Sequence, residues 1–169
     1  IHISKVDSLT DVTIENSTIV NNGIYAHYWG DGIHVISDCY YWGPIKFMDN
    51  LTIRGNTIAD NGNNGIYIDL GEICSDYTYI GNVTIRNNVV ESKPDVVGIL
   101  VGTAGRLEGD ILVANNTVKN ANDGIRGIGN SRSMTIYGNT VTNATTGIKL
   151  DHAGGSMVIN NTISNTTTG

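Results

Sequence analysis

Residues able to do chemistry crowd into the first half of this 169-residue chain. Asp31-Gly32-Ile33-His34 sets a carboxylate three residues before an imidazole, the pairing a general base uses, and His27, Asp69 and Asp151 recur three residues after a Gly-Ile isoleucine. Hydrolytic sites pair carboxylates across a groove, whereas lyase-like or epimerase-like chemistry needs a base beside a cation or metal. Asp31, His34 and Asp69 are therefore the catalytic candidates, although their spacing matches no established signature. A histidine beside an apolar pair is more commonly a packing or loop residue. Asp31, Asp38, Glu72 and Asp76 are candidate calcium ligands, but no spacing among them compels a metal and no other cofactor is implied.

Interleaved with these acids are Tyr28, Trp29, Tyr40, Tyr41, Trp42, Phe47, Tyr77 and Tyr79. Ring faces beside carboxylates suit sugar binding, because aromatic faces cover apolar sugar faces while polar groups fix hydroxyls. The competing reading is that an irregular insertion needs a small core of its own, which Trp29 and Trp42 would supply.

The elements that must carry these groups are read from one phrase, M-T-I-Y-G-N-T-V-T-N-A-T-T-G-I-K-L at 134–150, which recurs with interruptions. Apolar pairs alternate with polar residues at Val12/Ile14, Leu51/Ile53, Val83/Ile85, Ile111/Val113, Met134/Ile136 and, degraded, Ser156/Val158. Five residues on stands Ile19, Ile58, Val90, Val118, Val141 or Ile163. A Gly-Ile step follows, with Ile24, Ile66, Ile99, Ile125 and Ile148 aligned; Ile1-His2-Ile3 reads as the same strand. One such short strand set buries too little to stand alone, so the units must stack, in about six coils of three strands.

Two columns fix the geometry. Asn16, Gly55, Asn87, Asn115, Gly138 and Asn160 are the residue types that tolerate a left-handed backbone, which predicts a tight bend of positive φ. Next come Ser17, Asn56, Asn88, Asn116, Asn139 and Asn161, an inward asparagine ladder in which stacking supplies the partners that burial demands. Thr18, Thr57, Thr117, Thr140 and Thr162 follow in an outward slot, with Val89 the exception. Parallel strands about 4.8 Å apart would make a rod on the order of 30 Å long.

This motif, apolar-x-Ile-x-Asn/Gly-Asn-Thr-Ile/Val and then Gly-Ile, resembles the right-handed parallel β-helix repeats of the pectate-lyase-like superfamily, NosD-type repeats in particular. The resemblance covers nearly the whole chain and implies an all-β solenoid. It leaves activity open, since that family spans polysaccharide lyases, hydrolases, epimerases, adhesins and scaffolds.

Two long interruptions, about 28–50 and 70–82, carry one cysteine each, and a disulfide between Cys39 and Cys74 is predicted. The repeat itself generates most Asn-x-Ser/Thr sequons; Asn50 and Asn82, at exposed turns, are the better glycosylation candidates. Whether Gly32-Ile33-His34-Val35 is an additional coil or loop stays open at this level.

A formal charge of −6 disfavours nucleic acid and anionic membrane surfaces as partners, and no apolar run approaches a membrane span. A chain opening on Ile1-His2, without a basic-then-apolar leader, reads as mature or excised. Neither end shows a polar cap, and N-T-T-T-G joined to I-H-I-S would repeat 143–151, so the expected neighbours are flanking coils or copies stacked head to tail. The expected role is a non-catalytic structural or adhesive solenoid of an extracellular fibre or cell surface, contacting glycans through aromatic loops. The alternative is the β-helix of a polysaccharide-acting enzyme.

Overall fold

The computed structural model describes residues 1–4, 6–23, 30–37, 45–69, 79–103, 106–129 and 134–169. Every strand among them pairs in parallel with the matching strand of at least one adjacent coil. The first sheet stacks His2–Ile3, Ile33–Ile36, Ile66–Asp69, Ile99–Thr103, Asp123–Gly129 and Thr146–Asp151. A second contains Thr13–Glu15, Leu51–Arg54, Val83–Arg86, Ile111–Ala114, Met134–Tyr137 and Met157–Ile159. A third runs through Thr18–Val20, Thr57–Ala59, Val89–Glu91, Thr117–Lys119, Thr140–Thr142 and Thr162–Ser164.

Alternation along each strand sends one residue set inward, where the columns of the sequence reading meet in register. Ile14, Ile53, Ile85, Val113, Ile136 and Val158 are successive partners, as are Ile19, Ile58, Val90, Val118, Val141 and Ile163. Among the described residues, the hydrophobic core is one continuous cluster of these inward columns.

Three strands per coil is an undercount in part of the rod. Ser8–Thr10, Phe47–Asp49, Tyr79–Ile80 and Arg106–Leu107 form a fourth, four-stranded sheet that turns Leu9, Met48 and Ile80 into the core. These strands are too short for a period of two to declare itself.

The second coil also differs from the sequence alignment. Ile33, not Ile24, pairs with Ile66, so Ile33–Ile36, which takes in most of Gly32–Val35, is the regular strand of that coil, neither extra coil nor loop. The position before that isoleucine has room only for glycine. A side chain at Gly32 would overlap Ile58 and lie 2.7 Å from the carbonyl oxygen of Gly65, and Gly65, Gly98, Gly124 and Gly147 are likewise jammed against the Ile/Val column of the third sheet. In consequence, the interval 28–50 is not one insertion: it contains the strands Ile33–Ile36 and Phe47–Asp49, and 70–82 contains Tyr79–Ile80.

The bend column is left-handed at all six positions, with φ of 51 at Asn16, 65 at Gly55, 56 at Asn87, 54 at Asn115, 65 at Gly138 and 54 at Asn160. This bend aims the following Asn inward. Oδ1 of Asn88 accepts both the backbone N–H and Nδ2 of Asn56 at 3.0 Å, and Asn116, Asn139 and Asn161 repeat the pattern. The other Nδ2 proton of each of Asn56, Asn88, Asn116 and Asn139 goes to a carbonyl of the preceding coil, as from Asn116 to Ile85.

A second, exposed file joins Asn165 to Asn143 at 3.3 Å, Asn143 to Asn120 at 3.3 Å and Asn120 to Glu91 at 3.1 Å. Water competes there. Asn143→Gly, which keeps the positive φ of 56 available while removing the amide, should shift stability by no more than about 1 kcal/mol in a thermal melt.

Candidate binding site

The outer face of the first sheet collects most of the described polar chemistry. Register puts His2, His34, Tyr67, Leu100, Arg126 and Lys149 in single file, one per coil. Beside it runs Ile36, Asp69, Gly102, Ile128 and Asp151. Asp69 and Asp151 therefore share a column, as their spacing implied, while Ile36 takes the place assigned to His27, which lies outside the described residues.

At one end of this face Asp31 and His34 meet. Asp31 Oδ2 is 3.0 Å from His34 Nδ1, and the two side chains are 2% and 11% exposed. The pairing follows from the strand: Asp31 precedes it in the turn, where its Oδ1 accepts the Asn64 backbone N–H at 3.0 Å, and His34 is its first outward residue. Tyr67 stacks on the His34 ring at a centroid distance of 4.8 Å and 20°, and His2 meets it edge-on at 5.0 Å and 90°. Burial, then the neighbouring His34, holds His2 below the usual histidine range. The Tyr67 hydroxyl donates to Asp69 Oδ2 at 2.9 Å, and burial followed by that carboxylate pushes its phenol well above the ordinary tyrosine value, so it stays a neutral donor.

Ile1, His2, Asn22, Asp31 and His34 line a cavity of about 230 Å³ at this end. Asp31 Oδ2 and His34 Nε2 are both buried and make no hydrogen bond. Toward the other end, Arg126 Nε donates to Asp151 Oδ2 at 2.9 Å, and its terminal nitrogens lie 2.8 Å from Asp151 and 3.7 Å from Asp123. That pair leaves the face charged but locally balanced.

Of the other sequence candidates, Tyr79 is described and stacks on Phe47 at 4.8 Å and 9°. Two rings that cover each other this way turn their edges outward, which suits a small exposed cluster better than a flat sugar platform. Tyr28, Trp29, Tyr40, Tyr41, Trp42 and Tyr77 lie outside the described residues, as do Cys39, Cys74, Asp38, Glu72 and Asp76. Among the described residues no group of three or more His, Cys, Asp or Glu side chains is placed to hold a metal ion. Asn50 and Asn82 are exposed, but their Nδ2 atoms donate to Asp11 at 3.1 Å and to Asn50 at 3.4 Å, bonds that a glycan attached there would disturb.

Sequence reasoning missed His2 and Tyr67. A ring follows the aligned isoleucine in the first three coils whether Ile24 (Tyr25) or Ile33 (His34) is used, so the file of rings was legible; only the choice of Ile33 brings His34 into it. Among known families, the chain matches the right handed beta helix region over residues 6–108 and again over 74–169. Neither the curated proteins nor the solved structures contain a match.

Proposed function

The chain belongs to the right-handed β-helix family, and from that premise we propose that it is a non-catalytic structural or adhesive solenoid of an extracellular fibre or cell-surface protein, contacting extended glycans. The observation that carries this reading is the single file His2, His34, Tyr67, Leu100, Arg126 and Lys149 on the first sheet. Strands about 4.8 Å apart advance at close to the step of one pyranose in an extended polymer. Three rings stand at one end of that line and two cations at the other, with Asp69 and Asp151 in the file beside it, a mixture that suits sugar rings and hydroxyls together.

Stacking on further coils, of the same chain or of another copy, belongs to the same reading. The inward Val158 is 48% exposed although its partner Ile136 is fully buried, so one more coil laid on it would bury apolar surface.

One observation favours the enzymatic alternative, the close approach of Asp31 to His34, since a carboxylate that orients an imidazole prepares a general base. Sedimentation with insoluble neutral and acidic polysaccharides, followed by analysis of the supernatant, separates the two. The scaffold reading expects retention on at least one polymer, weakened by Tyr67→Ala with Arg126→Ala, and no shortened or unsaturated products. Products that disappear on His34→Ala would replace it with the enzymatic one.

A further inference from the structure

The geometry points to Gly102 as the seat of one pyranose unit of a bound glycan, which lies against bare backbone there while Asp69 Oδ1 accepts one of its hydroxyls. This rests on the glycan-contact reading and assigns the point at which the polymer comes closest to the strands.

A glycine inside a strand lacks the side chain that would stiffen and cover it, so its presence needs a physical reason. The other described glycines in the strands of the first sheet have one. A Cβ at Gly124 would stand 2.3 Å from Val141 Cγ1, one at Gly127 would stand 2.9 Å from Leu150 Cδ2 and one at Gly147 would stand 2.5 Å from Ile163 Cγ2, while Gly129 has a φ of 103. Gly102 lies inside the strand Ile99–Thr103 and has no positive φ. The described atoms nearest to a Cβ built on it are Asp69 Oδ1 at 3.8 Å and Ile68 O at 3.9 Å, ordinary contact distances. Neither the backbone nor a described neighbour excludes a side chain at this position. Close approach of a ligand to the strand is the reason left.

The surroundings fit a sugar ring. Gly102 faces outward between Asp69 of the coil before and Ile128 of the coil after, and Leu100 precedes it by two residues, on the same face, in register with Tyr67 and Arg126. Asp69 and Ile128 stand two strand spacings apart, about 9.6 Å, which leaves room for one ring between them. Leu100 and Ile128 are half-buried and offer apolar contact to the ring's C–H groups. Asp69 is held in place, because its Oδ2 accepts the Tyr67 hydroxyl at 2.9 Å. Its Oδ1, the side-chain atom nearest Gly102, is the acceptor left for a ligand hydroxyl, a charge-assisted bond. Gly102 and Asp69 both keep solvent exposure, so backbone and acceptor are reachable from outside.

The test compares the parent protein with Gly102→Ala, Gly102→Leu and Asp69→Ala in sedimentation with cellulose, chitin, insoluble mannan and alginic acid, alongside thermal melts. The parent should be retained on at least one of these polymers. Gly102→Leu should weaken that retention about tenfold or more and Gly102→Ala by less, while both melt with the parent or slightly above it, since each side chain finds room on the outer face and narrows the unfolded ensemble. Asp69→Ala should weaken retention about tenfold through the lost acceptor. Lower affinity at undiminished stability is a combination that a merely structural glycine would not give. Retention of Gly102→Leu equal to the parent's would overturn the seat and leave the glycan reading standing, as would unchanged retention of Asp69→Ala. A melting temperature several degrees lower in both Gly102→Ala and Gly102→Leu would overturn it as well, by showing that the fold itself needs the space. Failure of the parent to sediment with any of the four polymers would sink the seat and the glycan reading together.

Discussion

Gly98→Ala should melt far below the parent protein, with a loss of about 3 kcal/mol or more, which for a domain this long is a fall of roughly 6–12 °C. The added Cβ would overlap Val118 Cγ1 and stand 2.6 Å from the carbonyl oxygen of Gly124. The side chain could rotate away; the carbonyl could not, because it belongs to the next coil of the same parallel sheet, whose strands are in register over five consecutive pairs. Adding Val118→Ala to Gly98→Ala should therefore recover only part of the loss. Gly154→Ala is the control, since nothing lies within 4 Å of the atom it would add. It should melt with the parent or slightly above it, because alanine narrows the unfolded ensemble. Equal melting of Gly98→Ala and Gly154→Ala would mean that the glycines mark turns only and that the interlocked columns are not what holds the coils together.

That glycine column also shows what the sequence could and could not disclose. The inward Ile/Val positions, the left-handed Asn/Gly bend and the amide ladder each repeat a single residue type at a fixed register, so stacking could be inferred without coordinates. The second coil was misread because both Gly23-Ile24 and Gly32-Ile33 offer the motif, and only packing decides between them: Gly32 meets Ile58 and Gly65, and Ile33 is fully buried against the core. The fourth sheet was invisible for a related reason. A strand of two or three residues with one inward side chain, such as Ile80 in Tyr79–Ile80, leaves no periodic trace. The candidate site was legible in its pair, Asp31 with His34, because a turn aspartate three residues before a strand histidine is a local relation. Its neighbours His2 and Tyr67 come from other coils and are joined to it only by register. Their shared slot could be read from Ile1-His2 and Ile66-Tyr67, but that His34 stands between them follows only from the pairing of Ile33 with Ile66.

Asn116→Asp should be the most damaging of the near-isosteric substitutions at neutral pH, more so than Asn116→Ala. In the parent, Asn116 Oδ1 accepts the N–H and Nδ2 of Asn88 at 3.0 Å, and its Nδ2 donates to Ile85 O at 3.0 Å and Asn139 Oδ1 at 3.0 Å. Alanine removes these bonds and strands two Asn88 donors in a site that is 1% exposed, a loss of about 2–5 kcal/mol. Aspartate keeps the acceptor but faces Ile85 O and Asn139 Oδ1 with an oxygen in place of a donor, and carries a charge into the core. Its protonated form can donate one of the two missing bonds, so burial raises the folded-state pKa of the new carboxyl above the unfolded value of about 3.9. The sign then follows from linkage. Between those two pKa values the folded state binds more protons than the unfolded, so stability falls as pH rises and is restored as pH drops toward about 4. Melts of the two variants from pH 4 to pH 8 should show the gap between Asp and Ala widening with pH and then levelling off. Asn161→Asp, at the half-buried end of the ladder where Asn161 Nδ2 also reaches Ile159 O at 3.1 Å, should show the same trend at smaller amplitude, because water there replaces the missing donors. If Asn116→Asp melted like the parent at pH 8, or if the two positions were equally sensitive, the ladder would be an ornament of the turn and not the spine of the rod.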